Sequence, residues 1–229
     1  MRESVSPSRS EANSIQAGRS DRHICLSWPI PRPCLSSAPL NGGYCQASRI
    51  LNLRVNGEQT PLPPEDTLRQ YADRQGWRGT TVGMMTAAPM DTLRHCSDRV
   101  GEESLHLWLT CGLDNARRAG DPADWRGESA PPAGTINTVF ATSLSLTPAT
   151  MAELLMVLTE AKCAFFQDAG ITSPASGGIA TGTGTDAMVI LSGSGRAERW
   201  AGKHTLLGER AAQLMMCALG DCLGAAVEH

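Results

Sequence analysis

The chain is poor in aromatic residues, poor in histidine and almost without lysine. Aromatics make up 4% of its 229 residues, and there are five histidines. Of the 20 lysines and arginines only Lys162 and Lys203 are lysine. A formal charge of −3 and a pI near 6.0 leave no electrostatic footprint for nucleic acid. No apolar run approaches the roughly 18–20 residues that a membrane-spanning helix requires. The eight cysteines (25, 34, 45, 96, 111, 163, 217, 222) include no C-x-x-C pair, and no histidine sits at a zinc-ligand spacing. These absences predict buried free thiols in a reducing, cytoplasmic setting, with no metal held by the protein.

What is present suffices for one core. At 41% apolar content the chain is expected to form a single domain. Residues 1–22 are rich in Ser and Arg without an apolar stretch, and Glu3, Glu11 and Asp21 do not suit an organellar presequence. They read as a disordered leader, with the domain over 23–229.

Short strands are expected at 24–30 and 34–37, broken by Pro29, Pro31 and Pro33. Asn41-Gly42-Gly43 signals a turn. Residues 50–55 alternate as a strand, with Asn52 facing away from Leu51 and Leu53. A helix is predicted at 64–75. Further strands are predicted at 79–88, ending near Thr86, at 105–111 and at 134–142, with a polar loop at 120–133. Thr147-Pro148 opens the clearest helix, as N-cap and first helical residue. Met151, Leu154, Leu155, Leu158, Ala161 and Phe165 form its apolar stripe, which places Lys162 near the stripe's middle and Glu160 on the far side. Gly170 ends that helix. Thr205 is predicted to cap a last helix, with Gly202, Lys203 and His204 just before its N-terminus.

The stretch from Thr159 to Glu209 holds both lysines and the alternating run Thr181-Gly182-Thr183-Gly184-Thr185, followed by Asp186 and an apolar strand at 187–191. Gly202-Lys203 is no phosphate loop. Ala197 stands where the first glycine is required, and His204 where Ser or Thr must follow the lysine. The set does suit amide hydrolysis, which needs a nucleophile, a base, oxyanion donors and an acid for the leaving amine. Taken singly, the same residues have ordinary structural uses, so spacing alone leaves catalysis open.

Longer motifs carry a resemblance. G-T-I-N at 134–137, T-E-A-K at 159–162, A-T-G-T-G-T-D at 180–186 and G-K-H-T-x-L-G-E at 202–209 are joined by L-S-S-A-P-L-N-G-G at 35–43, M-T-A-A at 85–88 and T-C-G-L-D-N-A at 110–116. Together, in this order, they resemble the adenosylcobinamide amidohydrolases over about residues 34–219. The resemblance implies cleavage of the amide that joins aminopropanol to a corrin propionate, giving adenosylcobyric acid for corrinoid salvage. Cobalt would enter with the substrate, so no cofactor is implied.

The fold expected is α/β (α+β), one mixed sheet with packed helices. The site is expected where strand ends at Thr86, Thr110 and Asp186 converge. Asp186 or Glu160 would serve as base and His204 as acid, with Lys162 and the amides of 182–185 stabilising negative charge. Attack by water is favoured over attack by Thr183 or Thr185. Asn41, Gly42, Gly43, Asn52, Thr86, Asn115, Asn137, Gly182, Gly184, Lys203 and Thr205 would bind the amide-rimmed corrin. The rival is a corrinoid carrier without turnover. Neither nucleic acid nor membrane is expected as a partner, and the sequence does not give the oligomeric state.

Overall fold

A computed structural model describes residues 13–55, 62–123 and 136–227, with the side chains of 225–227 excepted. Its elements in order are β1 (Gln16–Arg19), β2 (His23–Ser36), β3 (Gly43–Arg54), α1 (Pro64–Arg74), β4 (Thr81–Thr86), β5 (Arg94–Val100), β6 (Glu103–Thr110), β7 (Ala116–Arg117), β8 (Asn137–Thr142), β9 (Ser145–Leu146), α2 (Pro148–Asp168), β10 (Gly182–Thr183), β11 (Ala187–Leu191), β12 (Ala197–Glu198) and α3 (Leu206–Val227). One mixed sheet runs β4-β3-β2-β11-β8-β6-β5, with β1 paired to β2. The β3–β4 and β8–β11 pairs are parallel and the other pairs in this sheet antiparallel.

The sheet is folded over on itself. Asn52 of β3 donates to Thr110 Oγ1 of β6 at 2.8 Å and accepts from Asn137 Nδ2 of β8 at 2.8 Å. In the strand order β8 and β6 lie three and four places from β3. A flat sheet would hold them roughly 14 and 19 Å away at ~4.8 Å per strand. The bend lies in β2. Its register with β3 shifts between Ser27 and Arg32, where Pro29 and Pro31 have no N–H to give the ladder. The two short strands expected here are therefore one bent strand, not two broken ones.

Folding produces four layers. Ile24, Leu26, Ile50, Val82 and Met84 from one half of the sheet meet Trp108, Val139 and Val189 from the other. Helix α1 covers the outside of the first half, packing Leu68 and Tyr71 on Leu51 and Leu53. Helices α2 and α3 cover the second half over Leu107, Leu109, Phe140 and Ile190. Phe140 and Phe166 are fully buried there. Truncating either to Ala would cost about 3–5 kcal/mol.

Local signals behave as their chemistry dictates. Thr147 caps α2, its side chain accepting from Thr150 N at 3.1 Å, with Pro148 in the first turn. Thr205 caps α3, accepting from Gly208 N at 3.0 Å. Asn41 (φ 54°) and Gly43 (φ 81°) take the left-handed conformations of the expected turn. A Cβ on Gly42 would collide with the Ala38 carbonyl. On α2, Val157 and Phe166 join the buried face, while Leu155 and Phe165 sit at its margin.

Two strands of the main sheet were not expected, nor were the two-residue strands β7, β9, β10 and β12. Gln16–Arg19, inside the stretch read as a disordered leader, pairs with residues 24–27 as β1. The polar β5 pairs with β6 along the sheet edge. The remainder of the leader before residue 13, most of the loop at 120–133, and Gly134 and Thr135 lie outside the described residues.

Candidate active site

Pairing brings four strand ends together. Asn137, first in β8, is the partner of both Thr110 at the end of β6 and Ala187 at the start of β11. It also donates to Met85 O near the end of β4 at 2.7 Å. Thr86, Thr110 and Asp186 thus occupy one end of the folded sheet. Ser37, in the loop after β2, reaches the same end. Its N–H donates to Met188 O at 3.0 Å, and its hydroxyl accepts from Met188 N at 3.1 Å. Parts of the sequence motifs at 35–43 (Ser37), 85–88, 110–116, 134–137 (Ile136 and Asn137) and 180–186 therefore share a place in the fold.

On the helix-bearing face this end carries a compact polar cluster. β10 pairs with β7, placing Gly182 and Thr183 beside Arg117 and Ala116. The chain then turns at Gly184-Thr185 and returns Asp186 onto Thr183. Asp186 Oδ1 accepts from the Thr183 hydroxyl in a short hydrogen bond. Both carboxylate oxygens lie 3.2 Å from Thr183 N. Lys162 of α2 forms a short ion pair with Asp186 Oδ2. Lys162 is 7% exposed, as its place in the apolar stripe requires, and the carboxylate satisfies its buried charge.

Gly182 is required by this packing. A Cβ there would collide with Asp186 Oδ2 and lie 2.8 Å from Lys162 Nζ. A Cβ on Gly184 would lie 3.6 Å from Asn115 Nδ2, so Asn115 adjoins the same turn. Cys111 is close enough to feel the charge on Asp186. Its hydrogen bond with Cys222, then burial, then the charges of Cys222 and Asp186 push its thiol far up. A thiol held protonated is no nucleophile. In this cluster the Thr183 hydroxyl is positioned against a carboxylate.

Other expected site residues lie elsewhere. Glu160 makes a short ion pair with Lys203, bridging α2 to the loop before α3, and both are well exposed. His204 is exposed in the loop before α3. Two residues along a helix rotate a side chain by about 200°, so Glu160 and Lys162 leave α2 on different sides. Asn52 and Asn137, 3% and 2% exposed, are bonded to each other between the sheet layers. Thr86 is buried and accepts from Ala88 N at 3.0 Å. Asn41 donates to Thr81 O at 2.8 Å, and Gly42 and Gly43 are exposed in the same turn. Thr205 is occupied as a helix cap. Thr185 lies in the turn between Thr183 and Asp186, not in extended backbone.

A sequence model described as adenosylcobinamide amidohydrolase matches residues 7–229. The chain belongs to the adenosylcobinamide amidohydrolase family. An uncharacterised protein of Methanocaldococcus jannaschii is 31% identical over 193 residues, covering 74% of this chain and 76% of that one. An adenosylcobinamide amidohydrolase of Methanosarcina mazei is 27% identical over 154 residues, covering 67% and 66%. Among solved structures, a beta-aminopeptidase of a Burkholderia species aligns at a TM-score of 0.45 and 11% identity, over 93% of this chain and 80% of that one. As a family member this amidohydrolase carries its T-E-A-K and A-T-G-T-G-T-D motifs on the two sides of one ion pair, Lys162–Asp186. No helix among the described residues is long and apolar enough to cross a membrane.

Proposed function

We propose that this amidohydrolase cleaves the amide between aminopropanol and the corrin propionate of adenosylcobinamide, releasing 1-amino-2-propanol and adenosylcobyric acid. Thr183 Oγ1 is the nucleophile and Asp186 the base. The observation that supports this reading is how Asp186 spends its lone pairs. A carboxylate offers about four acceptor sites. Here they face Lys162 Nζ, the Thr183 hydroxyl and the Thr183 N–H, the last within reach of both oxygens. The Thr183 hydroxyl donates its proton directly to the base.

The steps balance without a cofactor. Asp186 takes the hydroxyl proton as Thr183 Oγ1 bonds to the amide carbon, and Lys162 compensates charge on the far oxygen. The tetrahedral intermediate collapses by breaking the C–N bond, and the protonated Asp186 returns its proton to the departing amine. Water then attacks the ester, giving its proton to Asp186, and Thr183 Oγ1 leaves and is reprotonated. This assignment replaces the water route favoured from sequence, and it needs neither Glu160 nor His204 as acid or base. Asn115 Nδ2 adjoins Gly184, the residue that follows Thr183 in the chain, and would serve as a donor to the oxyanion.

Incubating the purified protein with adenosylcobinamide tests the reaction class. The proposal predicts release of 1-amino-2-propanol in multiple turnovers. Stoichiometric corrinoid binding with no amine released would make the protein a carrier instead.

A further inference from the structure

Away from this site, Cys96 of β5 approaches Cys217 and Asp221 of α3. The two sulfurs are 3.4 Å apart, and Asp221 Oδ2 lies 3.8 Å from Cys96 Sγ and 4.0 Å from Cys217 Sγ. We propose that Cys96, Cys217 and Asp221 form a metal site of zinc type, with a fourth position open to water. Three donors around a tetrahedral zinc, at ~2.3 Å for sulfur and ~2.0–2.2 Å for oxygen, stand about 3.8 Å apart for two sulfurs and about 3.5 Å for sulfur and oxygen. The triangle found here is within a few tenths of an ångström of such a tetrahedral face.

The placement is set by two elements. Cys217 and Asp221 are four residues apart, so one face of α3 presents both. Cys96 faces α3 from the edge strand and is buried, whereas Cys217 and Asp221 are exposed and give an ion a way in. Arg94 Nε donates to the Asp221 carbonyl at 3.1 Å, fixing this turn of α3 to β5. Two thiolates and a carboxylate suit zinc or its borderline-soft analogues better than magnesium or calcium. β5 lies three strands from β11, roughly 14 Å across the sheet. The ion would pin α3 to the sheet edge and take no part at Asp186. Sequence spacing hides the site, because Cys96 precedes Cys217 by 121 residues.

The full chain, reduced and stripped of metal, is titrated with cobalt(II) as the spectroscopic stand-in for zinc. One equivalent is expected to give sulfur-to-cobalt charge transfer and the intense visible bands of a tetrahedral thiolate, both erased by zinc. Zinc should also raise Tm, since it binds the folded state. Cys217→Ser, at an exposed position, should remove most of the charge transfer and the Tm shift. Asp221→Asn should keep charge transfer but weaken binding, and Cys45→Ser should change neither. A parent protein without tetrahedral bands, or bands that persist in Cys217→Ser, would overturn the proposal. So would a Cys96–Cys217 disulfide that, once reduced, leaves a protein unable to bind cobalt.

Discussion

Lys162 and Asp186 are 24 residues apart in the chain and form a short, largely buried ion pair beneath the Thr183 hydroxyl. The lysine comes from the apolar stripe of a helix and the aspartate from the lead-in to a central strand. Each needs the other. An ammonium inside that stripe is tolerable only against a carboxylate, and the carboxylate is aimed at Thr183 only while the ammonium holds its other oxygen.

Removing the ammonium should therefore harm both stability and turnover. Lys162→Met preserves the stem's bulk and leaves Asp186 buried without its partner. Denaturant unfolding should show a loss of ~3–5 kcal/mol, and amide hydrolysis should fall with it. A variant as stable and active as the parent would mean the lysine has no role.

Gly182→Ala tests the close packing from the other side. The added methyl meets Asp186 and Lys162, and overpacking of this kind costs about 1–3 kcal/mol. Kinetics on the variant that remains folded should show a loss in kcat larger than any rise in KM, because the reacting groups move while the corrin's contacts do not.

Much of the fold was legible. The caps at Thr147 and Thr205, the Asn41 turn and the strands at β4, β6, β8 and β11 follow from local chemistry. Lys162 was legible too, because an amphipathic period places it among apolar neighbours. The fold-over of the sheet was not, since it depends on β2 bending at its prolines while continuing to pair on either side. For that reason Asn52 and Asn137 looked like strand-end donors, though they close a contact between layers. β5 was hidden by its polar, edge-strand composition. The return of Asp186 onto Thr183 was hidden because a Thr/Gly alternation reads as extended backbone, whereas Gly184-Thr185 makes a turn.

The interlayer asparagines should behave structurally. Asn52→Ala takes from Thr110 its hydrogen bond to Asn52 and from Asn137 one of its two acceptors, Met85 O remaining, a loss of ~1–3 kcal/mol. The melting temperature should drop while KM for adenosylcobinamide stays near the parent value. A large rise in KM at unchanged stability would instead make Asn52 a substrate ligand.

Glu160 and Lys203 pair at the surface, where such bridges are worth about 0–1 kcal/mol. Glu160→Gln should change stability by no more than that and leave kcat within a few-fold. An inactive Glu160→Gln with an intact fold would restore Glu160 as the base and displace Asp186.

The most direct measurement is trapping of the corrinoid ester with hydroxylamine, run beside Thr183→Val and Thr185→Val. With Thr183 as nucleophile, the parent should yield a corrinoid hydroxamate. Thr183→Val should then lose turnover by more than the ~10²–10³ expected for one oxyanion donor, and Thr185→Val should remain active. Turnover without hydroxamate, in a Thr183→Val protein that keeps most of its rate while Asp186→Asn is inactive, would contradict the covalent route and return the attack to water.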